Sequence, residues 1–146
     1  MMESLSTSGG LAATELMMRF AGGRQRVLAH NIANLSTPGF QPKDVSVEGF
    51  RASLRAALDE RGGRGGRGAL EIDNGEVVAS LSPSGVGRMR LEPGTASGNI
   101  LFHDRNNRDL ERSMQSLAEN AGMYRVAAEL WRKQSGMLKA AISERV

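Results

Sequence analysis

Cysteine is absent from the 146 residues, which excludes a disulfide framework and a thiolate metal site. Aromatics are nearly as scarce, at four Phe, one Tyr and one Trp, whereas Met occurs eight times. That balance predicts a core of aliphatic and Met side chains carried on helices. No run of about eighteen apolar residues occurs, so no bilayer-spanning helix is expected. The start, MMESLSTSGGLAATELMMRF, lacks a basic segment ahead of an unbroken apolar one, so no cleaved secretory signal is expected either. A large excess of one charge is also missing. The 19 basic and 16 acidic residues give a net charge of +3, too mild for a nucleic-acid footprint. With 40% hydrophobic and 24% charged residues, the chain suits a single domain with a modest core.

Catalytic groupings are lacking too. His30 and His103 lie far apart in the chain, with no carboxylate cluster near either, and a metal or acid-base site needs several convergent groups. The glycines form no phosphate loop ending in Gly-Lys-Ser/Thr. The expectation is a chain that is not an enzyme, with no cofactor, no metal and no small-molecule substrate.

What is present falls into three zones, 1–40, 41–106 and 107–146. In the first, Met17, Ala21, Leu28, Ile32 and Leu35 recur at helical spacing, with Phe20 and Val27 beside them. Gly22 and Gly23 interrupt that helix and predict a kink or a weak point, or else the close approach of a neighbouring helix. Pro38 disfavours helix at Thr37, and the order Thr37, Pro38, Gly39, Phe40 puts Pro and Gly in the two central places of a type II turn. Asn31 and Asn34, poor helix formers just ahead of that turn, are placed to bond backbone groups freed at the helix end or those of an adjacent subunit.

The middle zone is rich in glycine. A short helix is expected over 51–58, followed by strand-like pieces ALEI, EVVASL, VGRMRL and NILFH. Asp73, Asn74 and Gly75 between the first two pieces predict a hairpin. The tract RGGRGGRG, Arg61 to Gly68, reads as a mobile exposed loop, with an RGG-type nucleic-acid contact as the alternative.

The last zone is the most regular. Leu110, Met114, Leu117, Ala121, Tyr124, Ala128, Trp131, Ser135, Leu138 and Ile142 alternate spacings of four and three, which is the seam of a coiled coil. Asn106 or Asn107 is placed to cap its start. A helix over 107–143 would run about 55 Å, whereas a compact globule of this length is roughly 38 Å across. The fold expected is therefore mainly α and elongated. Its long N- and C-terminal helices pair in coiled-coil fashion, and a glycine-rich middle with short strands is looped out to the side.

Both ends resemble one known family. NIANLSTPGF, through Ala33, Asn34, Thr37, Pro38, Gly39 and Phe40, is similar to the N-terminal signature of bacterial flagellar axial proteins, the rod and hook family. NNRDLERSMQSLAENAGMYRVAAELWRKQSGMLKAAI resembles the C-terminal segment of the basal-body proximal rod proteins, with Arg108 replacing a hydrophobic residue and Trp131 unusual. The resemblance implies a homo-oligomeric structural subunit of the proximal rod in the periplasm, exported by the flagellar type III apparatus. It further implies helical assembly through the terminal helices, and contact with other rod proteins and with the basal-body ring and its adaptor. The subunit interface would then comprise Asn31, Asn34, Thr37, Pro38, Gly39 and Phe40 together with the apolar positions of the C-terminal seam. A freestanding coiled coil is the other alternative, and no nucleic-acid partner is implied.

Overall fold

The computed structural model describes residues 2–66, 68–82, 87–95 and 110–143. Helix α1 (Met2–Ala33) is followed by a short strand β1 (Lys43–Asp44), helix α2 (Val47–Gly63) and strands β2 (Leu70–Asp73), β3 (Val77–Leu81), β4 (Gly87–Leu91) and β5 (Gly94–Thr95). Helix α3 (Leu110–Ser143) ends the described chain. At 32 and 34 residues, α1 and α3 are each about 50 Å long. They pack side by side, so the mainly α architecture built on two long terminal helices is as the sequence predicts. None of the described helices is long and apolar enough to cross a membrane.

The ends of α1 follow from local chemistry. After Ala33 the chain tightens, with the Thr37 N–H donating to the Asn34 carbonyl at 2.9 Å, and the Phe40 N–H then donates to the Thr37 carbonyl at 3.2 Å. Gly39 between them has φ of 72°, the left-handed value that the third position of a type II turn demands. At Gly22 and Gly23 the helix runs on without a break. A Cβ on Gly23 would lie 2.5 Å from Cδ1 of Leu91, so this glycine admits a strand side chain and not the neighbouring helix.

The second helix is longer than the predicted 51–58. Ser46 caps its start by accepting from the Gly49 N–H at 2.9 Å, one of the donors left over at a helix N-terminus. Its other end corrects part of the expectation for Arg61 to Gly68, since Gly62 to Gly65 are exposed as expected but the tract begins as helix. The tract's first three residues close the helix, and the Gly66 N–H reaches the Arg61 carbonyl at 2.8 Å while the Gly65 N–H reaches that of Gly62 at 3.0 Å. This paired arrangement, with Gly65 at φ of 69°, is a Schellman stop. Arg61 Nε also donates to the Gly66 carbonyl at 3.1 Å, and Arg64 is paired with Glu60. Arg67, the strand expected at NILFH, His103 and the caps at Asn106 or Asn107 lie outside the described residues.

Strands β2, β3 and β4 form an antiparallel meander, and β1 pairs with β5. The hairpin expected at Asp73 to Gly75 is present, with Asn74 Oδ1 accepting from the N–H groups of Glu76 and Val77. Alternation along β2 and β3 buries Leu70, Ile72, Val77, Ala79 and Leu81. These face Phe50, Leu54 and Ala57 of α2 and Ala12, Leu16 and Phe20 of α1. The Phe20 and Phe50 rings stack with centroids 4.1 Å apart. The main core thus lies between α1, α2 and the sheet, and α3 reaches its margin through Met123.

Two polar clamps tie the middle zone to α1. Arg24 Nε and Nη2 grip the Asp44 carboxylate at 2.8 and 2.6 Å, with side chains only 11% and 28% exposed. Two turns further on, the Asn31 amide donates to the Lys43 carbonyl at 2.6 Å and accepts from the Lys43 N–H at 3.1 Å. Arg24→Ala is expected to cost about 1–3 kcal/mol, because it strands a half-buried carboxylate. A double-mutant cycle with Asp44→Ala measures the clamp; a coupling under about 0.5 kcal/mol would show that the pair does not hold β1. For the turn, Gly39→Val is expected to lower stability by about 1–2 kcal/mol, since positive φ opposes a Cβ-branched residue, and Gly39→Asn by clearly less. Equal urea midpoints for the two variants would refute that account.

Candidate assembly interface

The face of α3 that meets α1 is narrow, small and polar. Asn120, 1% exposed, donates through Nδ2 to the Ala21 carbonyl at 2.8 Å and to Gln25 Oε1 at 2.7 Å. Its Oδ1 is buried with no hydrogen-bond partner among the described residues. Two heptads later Gln134 Oε1 accepts from Thr14 Oγ1 at 3.4 Å, and between them Ala127 is fully buried. Since position 21 meets 120 and position 14 meets 134, the helices run antiparallel. A Cβ on Gly10 would approach Gln134 Nε2 to 2.9 Å, so small residues on α1 let the amide in.

The predicted seam lies to one side of this contact stripe. Of its positions, Ala128 is buried, and Leu117, Ala121, Trp131, Ser135 and Leu138 are half-buried. Leu110, Met114, Tyr124 and Ile142 are exposed. A second apolar set, Val126, Leu130 and Met137, is exposed as well. At about 100° per residue, that set lies roughly 80–120° to one side of Asn120, and Leu110 and Met114 lie as far to the other. The helix therefore carries large apolar side chains on both flanks of the stripe that its own chain covers.

The turn-motif residues form a knot at the end of α1, the end that the antiparallel pairing sets beside the start of α3. Asn34 Nδ2 donates to the His30 carbonyl at 2.9 Å, and Thr37 Oγ1 donates to Asn34 Oδ1 at 3.4 Å. The half-buried Phe40 ring meets His30 edge-on, with centroids 5.5 Å apart. Thr37, Pro38 and Gly39 are exposed. Asn31 is buried, and its amide is taken up by Lys43 of the same chain. The knot thus sits near Leu110 and Met114, whereas Trp131, Leu138 and Ile142 lie toward the opposite end of the helix pair.

Sequence reading missed the residues that hold the pair together. Asn120, Ala127 and Gln134 recur every seven residues, one position ahead of Ala121, Ala128 and Ser135. That heptad repeat of an amide, a small residue and an amide was the available signal. Thr14 and Gln25 on α1 gave none, because one exposed-looking polar residue on a helix reads like another.

No protein-family model matches the chain. Among curated proteins it is similar to the flagellar basal body rod protein FlgB of Borrelia hermsii, 33% identical over 104 residues, covering 69% of this chain and 71% of that one. The protein of the same name from Aeromonas hydrophila is 28% identical over 120 residues, 80% of each chain. That of Bacillus subtilis strain 168 is 27% identical over 137 residues, 93% of this chain and 95% of the relative. The likeness to the Bacillus subtilis protein spans nearly the whole chain, and the chain belongs to the FlgB family of flagellar basal body rod proteins.

Proposed function

We propose that this chain is a structural, non-catalytic subunit of the proximal flagellar rod that assembles helically through α1 and α3 and passes torque from the rotor toward the hook. One observation carries this reading. Helix α3 uses Asn120, Ala127 and Gln134 for its own chain and turns Leu110, Met114, Tyr124, Val126, Leu130, Met137 and Ile142 outward. A monomer with nothing more to bury would place its large apolar residues the other way round. Apolar flanks on opposite sides of one helix supply two different surfaces. Contact between unlike surfaces under a rotation that does not close builds a helical tube.

The same reading assigns the partners. Other rod proteins and further copies of this chain would cover the flanks of α3. The knot of Asn34, Thr37, Pro38, Gly39 and Phe40 would lie at the junction between subunits or against the basal-body ring and its adaptor. Delivery would be through the flagellar type III apparatus, to a periplasmic position. An unfolded passage is helped by a chain without cysteine. The Arg61 to Gly66 part of the tract has a structural use as a helix stop, so nucleic-acid binding is not needed to account for it.

Leu130 tests the reading, because it is exposed and its change leaves the folded monomer nearly untouched. Leu130→Asp is expected to shift monomer stability by no more than about 0.5 kcal/mol. Its incorporation into isolated basal bodies should nevertheless fail, since a charge buried in an apolar interface without a partner costs several kcal/mol. Normal rods and normal swimming in the bacterium expressing this variant would overturn assembly through this flank of α3.

A further inference from the structure

The outer face of the β2–β3–β4 sheet sorts its charges by strand. Glu71 and Asp73 project from β2, Val78 and Ser80 from β3, and Arg88 and Arg90 from β4, all of them exposed. The register aligns them in two rows, Glu71 with Ser80 and Arg88, and Asp73 with Val78 and Arg90. Opposite charges therefore stand two strands apart, about 10 Å between backbones, and among the described residues no ion pair joins them. Adjacent strands, where such pairs would stabilise the sheet itself, hold neutral partners instead.

The two margins differ beyond these four residues. Beside β4, Arg19 Nη1 donates to the Gly87 carbonyl at 3.0 Å, and Arg26 lines a groove with Met89 and Leu91. Acidic partners on that side are Glu15, on Arg19, and Glu92, on Arg90. Beside β2, among the described residues, no ion pair joins Glu71 or Asp73 to a basic side chain; Asp73 Oδ1 accepts from the Gly75 N–H at 3.1 Å. The apolar Val78 lies between the margins, 43% exposed.

We propose that this face is a docking surface for a second copy of the chain, in which the Arg88 and Arg90 margin of one subunit meets the Glu71 and Asp73 margin of the next. The proposal rests on the rod reading above. A second copy is the fitting occupant because one chain carries both signs at matched spacing. In each margin the two charges are two residues apart on a strand, about 7 Å, so both pairs engage together. When each subunit lends its basic margin to one neighbour and its acidic margin to another, the contact is heterologous and propagates from subunit to subunit. Exposed charge pairs add modest affinity, and their main effect is to select orientation and to reject a reversed neighbour.

Charge exchange tests it. Three variants of the full chain are compared: Glu71→Lys with Asp73→Lys, Arg88→Glu with Arg90→Glu, and all four together. All three should remain folded and melt within a few degrees of the unaltered chain, the bond of Asp73 to Gly75 and the pair of Arg90 with Glu92 being exposed and worth little each. Each double variant is expected to lower the amount recovered in isolated basal bodies by at least about tenfold, and the fourfold variant to restore it. As a second measurement independent of export, the two purified double variants should associate with each other by light scattering at low salt, and neither with itself. Normal incorporation of the doubles, a fourfold variant that stays defective, or no association between the doubles would each overturn the proposal. A fourfold variant that stays defective would point to a different protein as partner. If the doubles incorporate while Leu130→Asp is excluded, only the sheet contact fails; if both incorporate, the rod reading fails with it.

Discussion

The Asn120 amide, donating at once to the Ala21 carbonyl and the Gln25 side chain, fixes the register in which α1 and α3 lie side by side. A buried amide in a helix pair is a poor source of stability and a good source of uniqueness. Any slip of the helices would leave the amide unsatisfied and cost about 1–3 kcal/mol. Small neighbours follow from that choice, since an amide can bridge two backbones only where Ala21, Ala127 and the glycines let them approach. Once the contact stripe is narrow and polar, the bulky apolar residues of α3 have nowhere to go but its flanks.

Helix α1 is thus asked to serve two masters. One face receives α3, and another, through Ala12, Leu16 and Phe20, closes the core made by α2 and the sheet. The chain has few large aromatics, and it places Phe20 and Phe50 against each other where α1 and α2 meet. Because α1 belongs to both contacts, the middle zone is anchored to the same rod-like element that carries the terminal pairing.

The sequence foretold the elements that depend on strong local chemistry. Pro38 and Gly39 announced the turn, Asn74 and Gly75 the hairpin, and the long repeat after Leu110 the final helix. What it hid was tertiary. Heptad counting selects the residues most in need of burial, and in α3 those are not the residues that the chain itself buries; Asn120 and Gln134 outrank Met114 because α1 offers them partners. The glycine-arginine tract misled for a related reason. Composition reads repeated glycine as freedom, whereas the Gly65 and Gly66 N–H groups are the two donors that satisfy the end of α2. Asn31 was legible as an amide bonding backbone, but not its choice of Lys43, which is set by a return of the chain that no local pattern encodes.

The clamps at Arg24 and Asn31 also have a mechanical side. Both hold the two residues of β1, and their anchor points on α1 are seven residues, or about 10 Å, apart along the helix axis. A pull directed along that axis loads the two attachments side by side, in shear, so they must give way together. A pull perpendicular to the axis would open them one after the other, like a zip. The middle zone is thereby fastened to resist the axial strain of a long helix far better than it resists being peeled away.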